Sequence, residues 1–243
     1  MVERDPYELF YWPGIQGRGE FVRLAFECVG APYEDVARRP ESAGGGSKAI
    51  IEILQDESGA SVFAPPILRH GARLVSHTAN ILAYVGPRLG LVGESEVARD
   101  TAHQLQLTVT DFVAEIHNTH HPVSPSLYFE DQVEEAKRAT HHFLESRMPK
   151  YLRHFEKTAT RSGGPWILGD AMTYVDLSMF QLHEGLSYAF PQSFVTFRAR
   201  IPHLVSIVEA VRRLEQVQKY LSSERRLSFN QHGLFRRYPE LEG

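Results

Sequence analysis

The chain has 243 residues, 42% of them hydrophobic, with 26 basic against 30 acidic side chains and a formal net charge of −4. That balance excludes a disordered or fibrous polypeptide and predicts no nucleic-acid partner, because such proteins carry a basic excess. No apolar run reaches the roughly 18 residues a membrane helix needs, the first residues lack the charged-then-apolar order of a signal segment, and one cysteine permits no internal disulfide, so a soluble cytoplasmic protein is expected.

The first element is an aromatic and apolar strand, Tyr7 to Trp12. The run Pro13-Gly14-Ile15-Gln16-Gly17 breaks it, and a helix follows in which Phe21, Leu24, Ala25 and Cys28 share one face and Val22, Phe26 and Val29 fill a second. A helix buried nearly all round makes Cys28 a small core residue instead of a reactive thiol. Gly30 ends it, and Pro32 to Val36 reads as a second strand. After a Gly/Ser-rich loop, Ile50, Ile51 and Leu54 mark a short helix. Ala64 to Val75 reads as a hairpin turning at His70-Gly71, and Ile81, Leu82 and Val85 mark the next helix. The order βαβ then ββα makes the first two strands parallel.

The composition changes between Gly86 and Ser95, and no strand pattern follows. Leu105, Val109, Phe112 and Ile116 share a helical face, and after a Pro/Ser loop a long polar helix carries Phe143, Tyr151, Leu152 and Phe155. Thr173 and Asp176 have the spacing of a capping box at the start of a helix with Val175, Met179, Leu182 and Leu186 inward. Pro202 opens another, and the tail from Leu221 is polar and arginine-rich. The fold class is a small α/β domain, residues 1–87, followed by an all-helical one, residues 95–243.

A tyrosine at the end of a first strand, facing the mouth of the following helix, is placed to donate a hydrogen bond to an anion. Tyr11-Trp12 with Gly17-Arg18-Gly19-Glu20, the Pro66-Ile67-Leu68 strand, the run His77-Thr78-Ala79-Asn80-Ile81-Leu82, and Leu168-Gly169-Asp170 with Thr173 and Asp176 occur in the order found in cytosolic glutathione transferases. Over nearly its whole length the chain resembles the tyrosine-type classes of that family, with mu and sigma nearest in look. The resemblance implies a thioredoxin-like first domain that binds glutathione as co-substrate, a helical domain that supplies the pocket for a small electrophile, and a homodimer.

It also implies roles. A cysteinyl thiol titrates above neutrality, and a tyrosine hydroxyl donating to sulfur favours the thiolate. That charge-assisted bond is worth roughly 1.5–3 kcal/mol, or about one to two pKa units. Tyr11 takes this part, and no serine or cysteine between Pro13 and Gly19 rivals it. Arg18 matches the helix-one arginine beside the tyrosine. Thr78, at a helix start, offers a hydroxyl and amides to the γ-glutamyl carboxylate, and His77 stands where the family often has glutamine. Pro66 is expected as the cis-proline, which makes Pro65 the residue that pairs with the cysteinyl unit through its carbonyl alone, since it has no N–H. Lys48 matches a loop lysine that reaches the glycine carboxylate. His103 lies where related classes carry an aspartate, and a histidine cannot supply that charge.

Trp12, Pro13, Ile116, His117, His120 and Tyr128 are the expected electrophile contacts. His117, His120 and His121, with Asp111 and Glu115 upstream, suggest a metal, and His117 and His121 stand at i, i+4, a spacing suited to zinc, but the His-Glu-x-x-His pattern is absent, no clear third ligand is placed, and no metal is expected. The competing readings are a non-catalytic binding or structural protein that kept the fold, for which Pro65, His77 and His103 speak, and a glutathione-dependent isomerase or reductase. A thioredoxin-type thiol reductase would need a cysteine near the first helix start, and Cys28 lies too late.

Overall fold

A computed structural model describes residues 5–57, 59 and 61–242. The chain forms two compact units, Met1–Leu91 with Leu214–Ser228, and Val92–Arg213 with Phe229–Gly243.

In the first unit β1 (Tyr7–Phe10) lies inside a sheet ordered β2-β1-β3-β4. It runs parallel to β2 (Glu34–Asp35) and antiparallel to β3 (Ile67–His70), which pairs antiparallel with β4 (Arg73–Ser76). The helix α1 (Gly19–Val29) joins the parallel strands, α2 (Gly46–Leu54) precedes the hairpin and α3 (Thr78–Val85) follows it. The two-residue period of a strand divides the apolar side chains. Leu9 and Leu68 cluster with Val22 and Phe26 of α1 and Ile81 and Val85 of α3, while Phe10 and Ile67 cluster with Val36, Ala49 and Ile50. Gly30, at φ 63°, ends α1 in the left-handed conformation. Cys28 is buried, and burial pushes its thiol up to about 11, so it acts as a core residue.

The segment Leu214–Ser228, which the sequence pattern assigns to the helical part, belongs to this first unit. Its short helix, Glu215–Leu221, carries a fully buried Tyr220, whose hydroxyl donates to Glu20 Oε1 at 2.5 Å, and Arg226 donates to the same oxygen at 2.5 Å. Arg225 grips Glu27 with two nitrogens at 2.9 and 2.8 Å, and Gln16 donates to the Leu227 carbonyl. These charged partners lie about 200 positions away in sequence, beyond the reach of any local pattern.

The second unit is helical. The long α4 (Glu96–Asn118) buries Leu105, Val109, Phe112 and Ile116, as their spacing predicts. The polar helix is interrupted: α5 (Val133–His142) passes through a five-residue π segment, Phe143–Arg147, into α6 (Met148–Ser162). The capping box at Thr173 and Asp176 opens α7 (Tyr174–Ala189). Asp176 also accepts from the Ile167 amide at 2.8 Å. Two short helices, α8 (Pro191–Arg198) and α10 (Glu215–Leu221), went unread from the sequence, and α9 (Pro202–Arg212) starts at Pro202 as expected.

Glu184 of α7 receives Arg212 at 2.5 Å and contacts His183 Nδ1 at 3.3 Å. Burial alone raises its carboxyl, but the hydrogen bonds from His183 and Arg212 outweigh that and bring it down to about 2. A lowered carboxylate contributes stability that is present above its unfolded value and lost as pH falls through the folded one. Stability should therefore decline between about pH 4.5 and 2, by up to about 3 kcal/mol from this group. Acid unfolding of Glu184→Gln, followed by circular dichroism, should show a correspondingly shallower decline.

Candidate functional site

The ladder ends at Phe10, which pairs with Ile67, and Ile67 pairs with Ser76. The next residues outward on the three strands are Tyr11, Pro66 and His77, so the register alone gathers three predicted residues at one end of the sheet.

Tyr11 is 5% exposed. Its hydroxyl oxygen accepts the Arg18 amide at 2.8 Å, at the turn that starts α1, and the amide of Gly19 acts on it in the same sense. Among the described residues the hydroxyl proton has no protein acceptor. Burial raises the phenol above its ordinary value, with the Arg18 amide and the charges of Arg18 and Arg23 partly offsetting it. Tyr11 is thus protonated at neutral pH, a donor whose acidity is strengthened by the amides at its oxygen.

The close fit explains the glycines. Gly17 has φ +47°, and a methyl group there would overlap the Tyr11 hydroxyl, while one at Gly19 would overlap the ring. The turn itself is held by Arg23, which is fully buried on α1 beside the equally buried Glu20. Its guanidinium donates to the Ile15 and Gln16 carbonyls at 3.3 Å, to Asp35 at 2.7 Å and to Glu20 at 3.3 Å, and lies 5.7 Å from the Tyr11 ring centre. Gly17 enters the sequence reading only as part of the Gly17-Arg18-Gly19-Glu20 run and Arg23 not at all, although the charges of Glu20, Arg23 and Glu27 among the apolar positions of this helix are the signal that finds the second.

The peptide between Pro65 and Pro66 is cis, so Pro66 is a cis-proline. Thr78 is buried, and its hydroxyl donates to the Arg18 carbonyl at 3.3 Å, tying the start of α3 to the start of α1. His77 is exposed and takes φ 66°, a region that costs a non-glycine residue about 1–3 kcal/mol. The side chain of the N-cap residue His77 makes no cap bond to α3, and the first turn presents its N–H donors and the positive end of the helix dipole. Lys48 lies on α2 with a side chain 73% exposed, 3.8 Å from Glu52, and is a solvated helix lysine in this structure. Trp12 is exposed at 36% and Pro13 is half-buried.

The residues of the second unit are placed differently from expectation. Ile116 and His120 are each 1% exposed; Ile116 is core, and His120 is walled in with its Nε2 3.0 Å from the Leu234 carbonyl. Tyr128 is 78% exposed. The expectation for these residues comes from the family resemblance, which places a stretch of chain beside a pocket without saying which of its side chains are buried in this chain's own core. His103 is half-buried, with a buried Nδ1 that meets no partner among the described residues. His117, His120 and His121, which the sequence names together without a clear third ligand, lie with one ring nitrogen of each within 4.8 Å of the others.

Residues 117–224 match the family described as glutathione S-transferase, C-terminal domain. The glutathione S-transferase of Plasmodium falciparum (isolate 3D7) is 23% identical over 225 residues, covering 89% of this chain and 96% of that protein. Glutathione S-transferase Mu 2 of Macaca fuscata fuscata is 24% identical over 220 residues, covering 90% and 92%. Among solved structures, the glutathione S-transferase from Ascaris lumbricoides superposes with a TM-score of 0.65 at 22% identity, covering 92% of this chain and 98% of that one.

Proposed function

We propose that the chain is an active member of the cytosolic glutathione transferase family, in which Tyr11 holds the glutathione sulfur as thiolate for attack on a small hydrophobic electrophile. The observation that carries this reading is the Tyr11 hydroxyl, whose oxygen is occupied by the Arg18 amide and whose proton is left to donate. The thiol gives up its proton to solvent, the hydroxyl donates to the sulfur anion, and the charge of Arg18 favours the same form. The sulfur lone pair then forms the new bond to the electrophilic carbon as the leaving group departs or the double bond accepts the pair. The start of α3, with Thr78, supports a site for the γ-glutamyl carboxylate. The Pro65 carbonyl offers one backbone bond to the cysteinyl unit where two are usual. Trp12 and Pro13 are the electrophile contacts retained in this reading, which carries with it a cytoplasmic homodimer and a detoxifying role. Among the described residues no helix is long and apolar enough to cross a membrane.

A non-catalytic glutathione binder is the second reading, favoured by the missing N–H at Pro65. Steady-state kinetics with an aryl halide separate the two. Thr78→Ala should raise KM for glutathione about five-fold, the equivalent of one hydrogen bond of about 1 kcal/mol, with kcat unchanged. Tyr11→Phe should lower kcat with little change in KM. A wild-type chain that binds glutathione without turnover would establish the binder instead.

A further inference from the structure

The turn that ends α4 gathers three imidazoles that the proposed thiol chemistry does not use. We propose that His117, His120 and His121 form a three-histidine site for a divalent transition-metal ion of the zinc type, with the fourth position left to water. Ring centres are 4.9 Å apart for His117 and His120, 5.1 Å for His117 and His121, and 4.9 Å for His120 and His121. One nitrogen from each lies within 4.8 Å of the other two. Tetrahedral Zn–N bonds of about 2.0–2.1 Å set nitrogens roughly 3.4 Å apart, so binding an ion would draw the three rings closer together.

The local structure fixes the cluster before any ion arrives. The amides of His120 and His121 both donate to the His117 carbonyl at 3.3 Å, and the Thr119 hydroxyl donates to Ile116 at 2.7 Å. Thr140 holds the Thr119 carbonyl at 3.1 Å. The Leu234 carbonyl takes the proton of His120 Nε2, which leaves a lone pair on Nδ1, and that nitrogen is buried with no partner among the described residues. A carbonyl holding the far nitrogen of a ligating histidine is the outer support such sites use, and an orphaned buried acceptor is what a bound cation would satisfy.

His121 Nδ1 is 3.1 Å from Gln132 Nε2. That amide also meets the carbonyls of Ser124, Leu127 and Tyr128 at 3.1, 3.3 and 3.4 Å, so releasing His121 to a metal orphans no amide hydrogen. The C-terminal end of the 23-residue α4 favours a cation, and Glu130 adds negative charge near His121, against the positive charge of Arg236 near both His120 and His121. Imidazole donors without thiolate suit zinc, copper, nickel and their cobalt substitute.

The test is titration of the full, untagged, chelator-treated protein with Co2+, read by visible d–d absorption, followed by displacement with Zn2+. One Co2+ per chain with an intense tetrahedral spectrum, bleached by Zn2+, is expected. Because His117 is half-buried, His117→Ala should fold normally, and it should weaken binding by more than the roughly 10–100-fold lost with an outer-shell partner. His121→Ala should do the same, and the exposed His154→Ala should change nothing. Absence of the spectrum in the wild type, or an unaltered spectrum and affinity in either His117→Ala or His121→Ala, would overturn the assignment.

Discussion

Arg23→Met should destabilise the first unit by about 3–5 kcal/mol, the cost of removing one partner from a buried charge cluster. Methionine fills much of the same space, so the loss reflects charge and not a cavity. Asp35 and Glu20 would lose the cation that faces them at 2.7 and 3.3 Å, and Asp35 already has one carboxylate oxygen without a partner among the described residues. The carbonyls of Ile15 and Gln16 would be released as well, so the turn that carries the Arg18 amide to Tyr11 should loosen and turnover should fall with stability. Arg23→Met combined with Asp35→Leu should regain part of the lost stability, because the charge stranded at Asp35 is removed while Glu20 keeps Arg226. Hydrogen exchange at the α1 amides reports the change within this unit. Unaltered protection in Arg23→Met would show that the cluster does not stabilise α1.

The second large effect couples Tyr11 to Gly17. Tyr11→Phe should raise the pKa of bound glutathione by about one to two units and lower turnover at neutral pH roughly 10–100-fold. Gly17→Ala should reach a similar loss by another route. Its methyl group collides with the Tyr11 hydroxyl and its φ of +47° is unfavourable to alanine, so about 2–4 kcal/mol of stability should go with the activity. In the double variant the contact with the hydroxyl oxygen is gone but two ring carbons stay 2.8 Å from the methyl position, so the loss should be relieved only in part, with the backbone cost of about 1–2 kcal/mol remaining in full. Non-additivity of about 1–3 kcal/mol in the cycle, measured by denaturant unfolding and by kcat/KM, is the expected signature of direct contact. Strictly additive losses would place the two residues in separate roles.

The sequence made the sheet end legible because short-range rules govern it. Aromatic strand, Pro/Gly break and apolar helix located Tyr11, and the hairpin spacing brought Pro66 and His77 beside it without any knowledge of contacts. The capping box at Thr173 and Asp176 was legible for the same reason. The buried network was not, because Glu20 finds Tyr220 and Arg226 some 200 residues away, and a polar, arginine-rich tail reads the same whether it is solvated or docked. The histidines at the end of α4 lay between these cases. Helical period paired His117 with His121, but His120 joins them through a turn whose geometry depends on Thr119 and Thr140. Ile116 shows the limit of the resemblance most simply, since it places this stretch beside a pocket, and here the side chain faces the core.

The most direct test of the thiolate assignment is a pH titration of the thiolate absorbance of bound glutathione, with wild type beside Tyr11→Phe. The assignment predicts a pKa well below that of the free thiol in the wild type, restored toward the free value when the hydroxyl is removed. Bound glutathione titrating at the same pH in both proteins would contradict it.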